Sequence, residues 1–159
     1  MLPLRSLARS SFCVLIMVAT GCQTPAPPPP INVSEPGWSV RHGQAVWRPS
    51  AEADELAGEL MLAHHPDGRS YIQFSKIPLP ILAARITPQD WWIQFAAENK
   101  TLAHRGSPPA KLTWLHLPEF LANTPCPDRA SFEFEGGASQ TWTLLNRETQ
   151  ERITGYLDP

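Results

Sequence analysis

Gly58-Glu59-Leu60-Met61-Leu62-Ala63-His64-His65-Pro66-Asp67-Gly68-Arg69-Ser70-Tyr71-Ile72-Gln73-Phe74-Ser75 is the stretch that decides the fold. Pro66-Asp67-Gly68 has the chemistry of a tight reversal: proline fixes one φ and Asp-Gly accepts the left-handed turn. After the turn, Tyr71-Ile72-Gln73-Phe74-Ser75 alternates apolar and polar residues, the period of a half-buried strand. Before it, Gly58 to Ala63 reads as a strand. The two predict an antiparallel hairpin, Leu60 to Ala63 against Tyr71 to Ser75.

The same punctuation recurs on both sides. Trp38-Ser39-Val40 and Ala45-Val46-Trp47 predict a first hairpin around Arg41-His42-Gly43-Gln44, followed by a loop from Pro49 to Asp54. Beyond the central hairpin, Pro78 and Pro80 interrupt the chain and a strand runs from Ile81 to Ile86. Trp91 to Phe95 and Thr101 to His104 form the next pair. Phe132 to Phe134, a Gly136-Gly137 turn, Thr141 to Leu144 and Arg152 to Leu157 complete the set. Short strands with turn signals about every ten residues predict a meandering antiparallel sheet of about eight or nine strands. One region breaks the pattern. Ser107-Pro108-Pro109 has the form of a helix start with Ser107 as cap, and Leu117-Pro118-Glu119 starts a second short helix ending near Ala122. The fold class expected is mainly β with a little α: a curved antiparallel sheet covered by short helices.

The chain has 159 residues and a net charge of −2. Its first 21 residues have the order of a secretory signal. Arg5 and Arg9 are basic, Phe12 to Ala19 is apolar, and Ala19-Thr20-Gly21 precedes Cys22. The apolar run is too short to span a bilayer, which takes about 20 residues. Small residues directly before a cysteine resemble a bacterial lipoprotein signal, and that resemblance implies a mature chain that begins at a lipid-modified Cys22. Residues 22–36, with Pro25 and Pro27 to Pro30, read as a tether. The fourteen residues from Gln23 to Pro36 could lift a domain at 37–159 by roughly 40 Å when fully extended. Removing Arg5 and Arg9 leaves 11 basic against 15 acidic residues, a net charge of about −4. That balance opposes a nucleic-acid partner and a polybasic attachment to anionic lipid; the lipid on Cys22 anchors the chain instead.

Candidate chemistry is sparse. Cys13 leaves with the signal and Cys22 is taken by lipid, so Cys126 is alone and no intramolecular disulfide is expected. As a nucleophile, Cys126 lacks an evident cationic partner or helix N-terminus. His64 and His65 adjoin Asp67, but neighbours on a strand point to opposite faces and do not share one metal. His42, His104 and His116 lack zinc-type spacing, so no metal and no cofactor are expected. Glu133 and Glu135 alternate with Phe132 and Phe134 as the outward face of a strand. There is no nucleophile elbow and no phosphate loop, and the chain is expected not to be an enzyme. Trp91, Trp92 and Trp114 fit either a packed core or the wall of an apolar cavity.

Gly58-Glu59-Leu60-Met61-Leu62, then Ser70-Tyr71-Ile72-Gln73-Phe74-Ser75-Lys76-Ile77-Pro78, a strand from Ile81, and Trp91-Trp92-Ile93-Gln94-Phe95-Ala96-Ala97-Glu98-Asn99-Lys100 occur in that order. Across about residues 37–157 this resembles the bacterial lipoprotein-sorting (Lol-type) carriers, above all the outer-membrane receptor, itself a lipoprotein. The resemblance implies an incomplete β-barrel covered by short helices, with an acyl chain or lipoprotein lipid held in an apolar cavity. Leu60, Leu62, Ile72, Phe74, Ile81, Phe95, Trp114 and Phe120 would line it. It also implies a place in the envelope, facing the periplasm from the outer membrane, since Gln23 rather than aspartate follows Cys22. The receptor has a protruding loop tipped by an apolar residue, whereas the turn compared with it here, His64 to Arg69, is polar. The alternative is a scaffold lipoprotein with a fully packed sheet, holding another envelope protein by a sheet edge or the Trp38/Trp47 region.

Overall fold

The computed structural model describes residues 31–137 and 140–158. The signal segment, Cys22 and the first part of the expected tether lie outside the described residues.

Among the described residues, nine strands form one antiparallel sheet: β1 (Ser39–Arg48), β2 (Leu56–His64), β3 (Ser70–Lys76), β4 (Leu79–Ile86), β5 (Asp90–Phe95), β6 (Lys100–Arg105), β7 (Phe132–Glu135), β8 (Trp142–Asn146) and β9 (Arg152–Leu157). Their spatial order is β6-β5-β4-β3-β2-β1-β9-β8-β7, and the sheet is not closed. The central hairpin has the expected register, Leu60 opposite Phe74 and Leu62 opposite Ile72. Gly68 sits in its turn at φ +91°, a conformation glycine adopts without a Cβ clash.

Two expectations are corrected. The segments at Trp38 and Ala45 are not arms of a hairpin, because Ser39–Arg48 is one continuous strand. Gly43 is a point of close approach rather than a turn. It pairs with Leu157 of β9, and a Cβ there would collide with the Tyr156 carbonyl oxygen. The two expected helices are one, α1 (Thr113–Leu121), with Pro118 inside it. Ser107 does not cap it; Leu112 stands at the N-cap without a side-chain hydrogen bond. Asn123, at φ 52°, ends the helix, the role a left-handed residue commonly has there. The Asn123 N–H bonds the Phe120 carbonyl at 3.1 Å. A lesser shift concerns β4, which starts at Leu79. Pro80 lies within the strand, opposite Ser75 and beside a register irregularity, a position where a strand tolerates a residue without N–H.

The place of α1 follows from the topology. β6 and β7 are the two edges, so the segment between them must cross a face of the sheet. α1 packs against β4 and β8 on that face. Every one of its residues is buried except Glu119, so its apolar side chains are spread around the axis and its buried Thr113 and His116 need polar partners. The core runs along the same face through Leu60, Leu62, Ile72, Phe74, Leu82, Ile93, Leu144 and Ile153 and meets Trp114, Leu117 and Phe120 of the helix.

Candidate functional site

The alternation that makes β2 and β3 also aims Leu60, Leu62, Ile72 and Phe74 at α1. With Trp114 and Phe120 they are buried in one core, against which Ile81 and Phe95 pack half-buried. All eight residues expected to line a hollow are thus brought together. Their side chains meet from both layers. The Phe74 and Trp114 rings are 5.2 Å apart and the Trp47 and Trp114 rings 5.8 Å in an edge contact. Phe120 lies 5.4 Å from both Phe132 and Phe134.

Polar groups fasten the rim of this layer. Asn146, fully buried at the end of β8, donates to the Ala110 carbonyl at 2.8 Å and the Thr113 hydroxyl at 3.2 Å. Its carbonyl accepts from the N–H groups of Glu148 and Thr149. Glu151 accepts a 2.6 Å bond from Trp47 Nε1. Burial pushes its carboxyl above the ordinary value, although bonds from Thr113 and Trp47 favour the charged form.

The opposite face carries a groove of about 480 Å³, walled by Gln44, Val46, Ala57, Glu59, Thr154 and Tyr156 and reaching Ile77. Ile77 is 72 % exposed and Leu79 67 %. The β3–β4 hairpin therefore has an apolar tip. The β2–β3 turn is polar, as expected: Arg69 pairs with Asp67 at 2.7 Å and His65 with Asp67 at 2.8 Å. The apolar tip lies one hairpin further on than the turn compared from sequence. Trp38 is occupied by this polar turn, with His65 at 5.4 Å and the Arg69 guanidinium over its ring, while Trp47 belongs to the interior.

His64 and His65 go separate ways, His64 to the Ser70 hydroxyl at 3.0 Å and His65 to Asp67. Another group comes together instead. His116 and Glu119 lie three residues apart on α1, and Cys126 returns to them from the following loop. His116 Nδ1 is 3.5 Å from Glu119 Oε2 and 3.7 Å from Cys126 Sγ, and the three donor atoms lie within 4.8 Å of one another. Burial pushes the Cys126 thiol up to about 11, with the Glu119 carboxylate adding to the effect, so the sulfur keeps its proton at neutral pH. The sequence carries one signal for this cluster, the His-x-x-Glu spacing of one helix face. Starting a helix at Leu117 hid it by leaving His116 outside.

Compared with known protein families and with curated proteins, the chain matches none.

Proposed function

We propose that this chain is a lipid-anchored protein of the bacterial envelope that binds rather than catalyses, and that it holds another envelope protein against the outside of a packed sheet. The observation that carries this choice is the filled interior. Trp114 meets Trp47 and Phe74 between helix and sheet, and a ligand entering there has to displace rings that already have partners. Apolar surface is offered outside, at Ile77 and Leu79 beside the groove. An apolar segment of a partner suits it, since the groove crosses β9, β1 and β2 to reach the β3–β4 tip, and the tip adds two side chains of contact. The anchor on Cys22 keeps the domain at the outer membrane, facing the periplasm.

A photoreactive residue at position 77 of the full lipidated chain tests this in cells. The expected product is a discrete protein adduct. Adducts to lipid alone contradict it. Radiolabelled palmitate tests the anchor separately: label is expected on the parent chain, and a Cys22→Ser variant that still takes it up contradicts the anchor.

The second reading is an acyl-chain or lipoprotein-lipid carrier of the sorting type. The Ile77–Leu79 tip favours it, because the resemblance implies a protruding apolar loop. It requires α1 to lift from the sheet, and it predicts lipid in the purified protein.

A further inference from the structure

We propose that His116, Glu119 and Cys126 form a zinc site, in which one Zn²⁺ ties α1 to the loop that follows it.

The hydrogen-bond count of the cluster is short of a cation. His116 Nε2 lies 3.3 Å from the Pro109 carbonyl. A carbonyl only accepts, so Nε2 carries a proton, and in the neutral ring Nδ1 turns its lone pair toward Cys126 and Glu119. Fixing a histidine tautomer through a carbonyl on its far nitrogen is the usual support of a metal-ligating imidazole. The Cys126 thiol has one proton to give, and Nδ1 lies within reach of it at 3.7 Å. Glu119 Oε2 is buried with no donor in full hydrogen-bond geometry, and its close neighbours are the same His116 and Cys126, which favour its charged form. A buried carboxylate oxygen without a donor is uncommon and calls for an explanation. A metal ion supplies it by replacing the thiol proton and accepting all three lone pairs.

Distances and donor types agree with the assignment. Tetrahedral zinc with bonds of about 2.0 Å to nitrogen and oxygen and about 2.3 Å to sulfur separates N from O by about 3.3 Å and N from S by about 3.5 Å. The corresponding separations here are 3.5 and 3.7 Å, and oxygen and sulfur lie within 4.8 Å of each other, so closure chiefly has to draw the carboxylate and the thiol together. A sulfur, an imidazole nitrogen and a carboxylate oxygen suit a borderline-soft divalent ion better than Ca²⁺ or Mg²⁺. His116 and Cys126 are buried, and the Phe132 ring stands 4.9 Å from the imidazole. Glu119 keeps 33 % of its side chain exposed, which leaves an entry path and a fourth position for water. Three protein ligands with one open position is a common zinc arrangement.

The test uses the full-length lipidated chain, purified in detergent under reducing conditions. Co²⁺ is expected to give a thiolate-to-metal charge-transfer band, displaced by one equivalent of Zn²⁺. Cys126→Ser, folded by circular dichroism, is expected to lose that band, and Glu119→Gln to bind roughly tenfold more weakly or worse on losing one of three ligands. A measurement on the parent chain guards against variants that fail to fold: Zn²⁺ is expected to slow alkylation of Cys126 at least about tenfold, since a metal-bound thiolate is withdrawn from attack. A folded, reduced parent chain that shows no charge-transfer band, or an alkylation rate that Zn²⁺ leaves unchanged, overturns the site.

Discussion

Single polar side chains fasten the helix to the sheet alongside the apolar layer. Asn146 satisfies a carbonyl and a hydroxyl at the start of α1 and two N–H groups of its own turn. Asn146→Ala leaves those groups without their partner, so a loss of about 2 to 3 kcal/mol is expected in chemical denaturation, the scale for orphaning buried polar groups. Glu151 gives a pH dependence. Its carboxyl is raised by burial above the ordinary 4.5, so the folded chain holds the proton more tightly than the unfolded one. The resulting stabilisation is complete below about pH 4.5 and is lost as pH rises through the folded-state value. Thermal melts of the parent chain are therefore expected to carry a component that falls above pH 4.5. Glu151→Gln, which still accepts from Trp47, is expected to lack it. Parallel pH profiles for the two proteins contradict this role of Glu151.

At the scale of elements, alternation and turn chemistry made the hairpin of β2 and β3 legible before any coordinates, because both signals are local. β1 was misread for the opposite reason. Gly43 looks like turn chemistry in sequence, but it is selected by β9, more than a hundred residues away, whose backbone passes where a Cβ would stand. Gly43→Ala is expected to destabilise by about 1 to 3 kcal/mol, as overpacking does, with the loss of hydrogen-exchange protection centred on β1 and β9. α1 was misread because Pro118 signals a start, whereas tertiary burial holds a single helix through it. The cluster of His116, Glu119 and Cys126 was only partly legible for a related reason. Two of its members share one helix, but the third arrives through a loop whose course sequence does not specify. Trp114→Ala removes the side chain that faces both Trp47 and Phe74, and a loss of about 3 to 5 kcal/mol is expected.

For the molecule as a whole, one topological fact organises the rest. The chain leaves the sheet at one edge and re-enters at the other, so α1 must cross the face between them and close it. The residues expected to line a cavity were identified as a group and do gather, but period-2 alternation marks only which side chains face inward. Whether they meet depends on the volume that Trp114 and its neighbours bring from the other layer. Ile77 and Leu79 stand exposed at the β3–β4 tip, where the proposed partner would dock. Ile77→Ser together with Leu79→Ser is expected to leave the melting temperature nearly unchanged and to abolish the crosslinked partner adduct. A native mass spectrum of the unanchored domain, residues 31–159 purified from the envelope, tests the packed interior most directly. The expected mass is the polypeptide, bare or with one metal ion and without acyl lipid. A folded domain that carries a stoichiometric fatty-acyl ligand would show that helix and sheet part to hold lipid, and the packed interior would be wrong.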